Sequence, residues 1–94
     1  MKINANSKII KSKNALVQEL DREAVLLNLD NNQYYRLDED SLRMFNVLVT
    51  SVNLGESRTA LATEFDVPVE KLWVDLVKFV EELEKSGLVQ VLDE

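Results

Sequence analysis

Residues Val69 to Lys85 keep a helical pattern without a break, and no other feature of this 94-residue chain constrains its fold as strongly. At about 100° per residue, Val69, Leu72, Trp73, Leu76, Phe79, Val80 and Leu83 fall within a single broad stripe. Pro68 suits the first turn, where a missing N–H costs nothing, and Gly87 provides a stop. A long helix with one apolar face must bury that face, so the rest of the chain has to supply a facing layer.

The preceding residues read as that layer. Asn14–Leu20 and Glu23–Leu29 are β-prone segments separated by Asp21 and Arg22, a length that fits a tight hairpin. Alternation puts Val25, Leu27 and Leu29 on one face and Leu26 and Asn28 on the other, which implies one covered sheet face. Asp30, Asn31 and Asn32 form a turn cluster, and a third strand, Gln33–Leu37, follows. It is a candidate edge strand, with main-chain donors and acceptors left unpaired. Asp38, Glu39, Asp40 and Ser41 then suit a helix N-terminus, ahead of Leu42, Phe45, Leu48, Val49 and Val52 at helical spacing. This first helix is predicted over roughly 39–51, stopped by Asn53, Leu54 and Gly55. Ser57 can cap a short second helix that turns Ala60, Leu61 and Phe65 inward and ends near Phe65. Leu88–Leu92 can dock as a strand or simply pack against the body. The expected fold is α+β: a winged-helix-like domain with a three-stranded antiparallel sheet followed by three helices, the last two arranged as in a helix-turn-helix. Residues 1–13, rich in Lys, Asn and Ser, read as a flexible basic arm, and 14–92 as the domain.

Composition narrows the function. Without Cys or His, disulfides, thiolate catalysis, the usual zinc sites and a Ser/His/Asp triad are excluded. The carboxylates Asp38, Glu39 and Asp40 read as helix caps, since the spaced oxygen ligands and Gly of a calcium loop are missing. Neither metal nor cofactor is therefore expected, and the chain is not expected to be an enzyme. No apolar run approaches the roughly 20 residues of a membrane span, and the N-terminus does not resemble a secretory signal, so a cytoplasmic protein is expected. Four of the eleven basic residues precede the first acid, Glu19, leaving seven basic against seventeen acidic residues in the body. Such a body repels phosphate backbones, and nucleic acid is not an expected partner.

Two features remain that a bare core does not require. Tyr34 and Tyr35 are adjacent on the third strand, so one turns inward with Leu37 and the other outward with Arg36. Val74 and Val77 lie outside the apolar stripe of the long helix, beside Trp73. They read either as a groove wall or as a surface covered by the C-terminal segment or by a second copy of the chain. An extended peptide added to the edge strand would gain main-chain hydrogen bonds and place alternate side chains against the helix, with no catalytic residue needed.

The order Val25-Leu26-Leu27-Asn28-Leu29, Tyr34-Tyr35-Arg36-Leu37-Asp38, Phe45, Leu61-Ala62, Phe65, Leu72, Asp75, Leu76, Phe79-Val80, Leu83 and Gly87-Leu88-Val89 resembles the PqqD-like family. The likeness covers roughly 14–92. It implies a recognition element for the leader of a ribosomally made precursor peptide, lying along the third strand in a groove closed by the long helix. Carried over by position, Gln33, Tyr34, Tyr35, Arg36 and Leu37 would flank the peptide, and Trp73, Val74, Val77, Lys78 and Glu81 would face it, with Asp75 on the opposite flank as a second choice. The Tyr-Tyr-x-Leu form is most similar to stand-alone proteins of lasso-peptide pathways, which act with a leader peptidase or another modifying enzyme. Alternatives are a chaperone role in pyrroloquinoline quinone biosynthesis, a DNA-binding winged helix, and a homodimeric scaffold.

Overall fold

Five strands and three helices follow one another in the computed structural model, which describes residues 3–92. They are β1 (Lys8–Lys11), β2 (Ala15–Leu20), β3 (Glu23–Asn28), β4 (Tyr34–Leu37), α1 (Glu39–Thr50), α2 (Leu54–Phe65), α3 (Val69–Lys85) and β5 (Val89–Leu92). The expected three-stranded sheet is β2-β3-β4, antiparallel throughout, so the strand expected third is β4. The β2–β3 hairpin closes without glycine because Asp21 itself takes the left-handed conformation, at φ 64°, which Asp tolerates better than most residues.

Register decides which sheet face is covered. Val17, Leu26 and Tyr35 are cross-strand neighbours on one face, and Leu16, Leu27 and Tyr34 on the other. The helices cover the first: Ala24, Leu26, Asn28 and Leu37 are buried, whereas Leu16, Leu20, Leu29 and Tyr34 are exposed on the outer side. Asn28 is a polar residue in this buried row. It is satisfied there, because its side-chain amide donates to the Ser86 carbonyl at 3.1 Å and its side-chain oxygen accepts from Asp30 N at 2.9 Å. One side chain thus ties the end of β3 to the end of α3.

The first helix begins as predicted. The Asp38 side chain accepts from Ser41 N at 2.8 Å, and these hydrogen bonds hold its carboxyl below the usual value of 3.8. Leu42, Phe45, Val47 and Leu48 are buried, but Val52 is exposed. The helix ends at Thr50 and Ser51 is extended, so Val52 no longer follows the helical period. In α2 the cap is Asn53 rather than Ser57: its side-chain oxygen accepts from Glu56 N at 2.9 Å. Gly55 therefore lies in the first turn, where its N–H donates to the Ala5 carbonyl at 2.9 Å. The earlier start sets the inward face as Leu54, Ser57, Leu61 and Ala62, and leaves Ala60 exposed. Long helix α3 has the predicted limits, with Leu76, Val80 and Leu83 fully buried, although Val69 in its first turn is exposed.

The N-terminal segment differs from the expected flexible arm. Lys8–Lys11 pair antiparallel with β5, Lys8 opposite Leu92 and Lys11 opposite Val89, and Ile9 is buried in the core. Two of the lysines are tethered, Lys8 to the Ser51 carbonyl and Lys11 to the Ala15 carbonyl at 2.6 Å. A composition rich in Lys and Asn hid a single apolar pair, Ile9-Ile10, at strand spacing. Lys2, counted with that arm, lies outside the described residues. The C-terminal segment resolves the choice left open by the sequence, since it forms a strand.

Candidate functional site

Among the described residues β4 pairs with β3 alone, so one of its edges is open. The hydrogen bond from Asn28 N to the Gln33 carbonyl, 2.8 Å, sets the phase of that ladder. In an antiparallel pair, hydrogen-bonded and non-bonded residues alternate. Leu26–Tyr35 and Ala24–Leu37 are then the bonded pairs, and the N–H and C=O groups of Tyr34 and Arg36 point to the open edge. The sheet has a second edge at β2, but its start is occupied: Ala15 N donates to the Ser12 carbonyl, and the Lys11 ammonium bonds the Ala15 carbonyl. Such blunting is a common protection of edge strands.

The side chains of β4 alternate as the sequence predicts. Tyr34 is 67% exposed on the outer face. Arg36, also exposed, pairs with Glu23 at 2.9 Å, an exposed contact worth about 1 kcal/mol at most. Leu37 is buried, and Gln33 sits in the preceding turn, its N–H bonded to the Asn31 side chain. Tyr35 turns inward but only half-buries. Its ring meets Phe79 of α3 edge-on, with centroids 6.2 Å apart, and its hydroxyl donates to Glu82 Oε1 at 2.6 Å. Tyr35 thus spans from β4 to α3 beside the open edge.

This bridge identifies the flank of α3 that faces β4. At about 100° per residue, Asp75 and Glu82 are separated by only about 20°, and Trp73 and Glu82 by about 180°. The structure therefore sets the helix residues expected at the site apart from Tyr35. Trp73, Val74, Val77, Lys78 and Glu81 line one shallow depression, and the Arg58 guanidinium stacks over the Trp73 ring at 5.1 Å to the centroid. That depression lies around the helix from Tyr35, and only Lys78 adjoins the Glu82 flank. Phe79 and Glu82, which do meet β4, carry no distinguishing mark of their own in the sequence, Phe79 lying within the apolar core stripe. The available signal was the spacing Asp75, Phe79, Glu82, which repeats on one helix flank.

The Tyr35 hydroxyl has its pKa pushed from 10.0 up to about 12, first by its hydrogen bond to Glu82, then by burial, and then by the charges of Glu82 and Asp38. Since the folded value lies above the unfolded one, this interaction stabilises the fold fully below pH 10. That contribution is lost as pH rises from about 10 to about 12. Phenolate absorbance should show a transition near pH 12 that Tyr35→Phe removes, and chemical denaturation should show the wild type losing its advantage over that variant in the same window.

The fold and the open edge of β4 define a class, a winged-helix-like α+β domain with an unpaired strand edge beside its longest helix. Residues 23–89 match the family described as Coenzyme PQQ synthesis protein D (PqqD), and the chain belongs to that family. Two solved structures share the fold. One, TbiB1 in complex with the TbiA(beta) leader peptide, is 26% identical with a TM-score of 0.79, over 86% of this chain and 94% of that one. The other, a lasso peptide synthetase B1 complexed with its leader peptide, is 18% identical, also at 0.79, over 88% and 98%. No curated protein matches the chain. Among the described residues no group of His, Cys, Asp and Glu could hold a metal ion, and no helix is long and apolar enough to cross a membrane.

Proposed function

We propose that the protein is a non-catalytic recognition element that binds the leader of a ribosomally synthesised precursor peptide and presents the attached core peptide to a leader peptidase or other modifying enzyme, in lasso-peptide biosynthesis. The observation that carries this reading is the pair of unsatisfied residues, Tyr34 and Arg36, whose backbone groups face the open edge of β4 beside Tyr35. An incoming strand would satisfy four polar groups and bury apolar side chains in one step. TbiB1, with the same fold and a bound leader peptide, supports leader binding by this chain. A leader paired with β4 would run beside the Phe79–Glu82 flank of α3, and tethering it would raise the effective concentration of the core peptide at the partner enzyme.

Duplex DNA fits the surface poorly, because the exposed residues of α3 include Glu70, Asp75, Glu81 and Glu82 where a recognition helix needs basic or amide side chains. The test is amide hydrogen exchange with the leader of a precursor encoded beside this chain's gene. Binding by strand addition should slow exchange at Tyr34 and Arg36 while Tyr35 and Leu37, already paired with β3, change little. Saturable binding that leaves the Tyr34 and Arg36 amides unprotected would refute the mode of binding, and no binding to any such leader would refute the function.

A further inference from the structure

The residue of an added strand that lies opposite Tyr35 has a fixed direction. With Tyr34 and Arg36 making the main-chain bonds at the open edge, Tyr35 and its new partner form a non-hydrogen-bonded pair, whose side chains share a face with Cβ atoms about 4.5–5.5 Å apart. That partner's side chain therefore runs inward along the Tyr35 ring, towards the ring's far end, where the hydroxyl meets Glu82 Oε1 at 2.6 Å. The second carboxylate oxygen of Glu82 is uncommitted. The ion pairs among the described residues are Arg36–Glu23, Arg43–Glu64 and Lys71–Asp75, and none of them engages Glu82. Lys78, one turn earlier on the same helix, does not come within ion-pair distance. Asp38, directly after β4, adds to the negative field at Tyr35, and the C-terminal end of α3 contributes the negative pole of its helix dipole.

We infer that Glu82 is a specificity-determining residue that selects a leader carrying lysine or arginine at the position opposite Tyr35. This rests on the reading of β4 as the docking strand. A long basic side chain can lay its aliphatic stem along the tyrosine ring and still deliver its charge to the exposed carboxylate of Glu82. Valine or leucine at that position stops short of Glu82, and an acidic residue is repelled by it. The neutral hydroxyl of Tyr35 holds the carboxylate in place without cancelling its charge, so the selectivity is preformed.

The experiment is selection of short random peptides, displayed on phage, against the immobilised full chain, repeated with Glu82→Lys and Arg36→Pro. Glu82 is exposed, and a melting curve checks that its variant folds; Glu70→Lys, with the same change in net charge, is the control. The wild type and Glu70→Lys should enrich peptides sharing Lys or Arg at one position. Glu82→Lys should exchange that preference for Asp or Glu, and should weaken a wild-type-selected peptide about tenfold. Peptides that need the β4 edge, being lost with Arg36→Pro, yet show no basic position or ignore Glu82→Lys would overturn the inference and leave strand addition standing. Failure to enrich any peptide that is sensitive to Arg36→Pro would remove the docking strand, and the inference with it.

Discussion

Arg36→Pro is expected to abolish leader binding while leaving the fold intact. The Arg36 N–H points away from β3, so its removal costs the sheet no ladder bond, and proline is tolerated at such edge positions. For an incoming strand, the same change deletes a donor and sets the proline ring where the strand's backbone must approach. Losing two or three main-chain hydrogen bonds at about 1 kcal/mol each weakens binding by about 30-fold or more. Arg36→Thr separates this from loss of the exposed pair with Glu23 and should bind nearly as the wild type does. Calorimetry with the same leader measures both variants, and circular dichroism checks the fold. Affinity retained in Arg36→Pro would show that the peptide does not pair with β4.

Gly87→Ala is expected to give the largest loss of stability among single exposed positions. Gly87 has φ 74°, and a Cβ there would lie 2.6 Å from the Asn28 side-chain nitrogen. That nitrogen cannot move aside freely, because Asn28 is buried and its amide is committed to the Ser86 carbonyl. The left-handed backbone costs about 1 kcal/mol and the broken buried hydrogen bond about 1–2 kcal/mol more. For a domain of this size, roughly 2–3 kcal/mol lowers Tm by about 10–20 °C. Adding Asn28→Ala to Gly87→Ala removes the clash, so the double variant should lose less than the two single losses combined. Simple additivity in thermal melts would mean that the two residues do not contend for the same space.

Strong local signals made most of the fold legible. The limits of α3 followed from Pro68, one stripe and Gly87, and the inward turn of Tyr35 followed from alternation with Leu37. Weak signals failed where tertiary partners decide. Ile9-Ile10 is too short a pair to announce a strand, and β1 exists because β5 pairs with it from the other end of the chain. Asn53 looked like a terminator of α1 and became the cap of α2, since Asn suits both places. At the candidate site, alternation and the turn cluster marked β4 as an edge strand but could not select the flank of α3 that faces it. Val74 and Val77 stand out as apolar residues off the core stripe, whereas the β4 contact runs through Phe79, a core residue as its stripe position predicts, and Glu82, one of several acids on the helix surface. Only the Tyr35 hydrogen bond distinguishes Glu82 from its neighbours Glu81 and Glu84.

The pairing of β1 with β5 places Lys8 beside Leu92, so the first and last strands of the domain lie side by side. They form a sheet separate from the one that carries the open edge of β4. The unit is therefore built as a cassette: joining its ends with a short linker and opening the chain at the exposed Asp30–Asn32 turn would preserve every strand pairing, and grafting it into a loop of an enzyme would demand little of the host beyond two nearby attachment points.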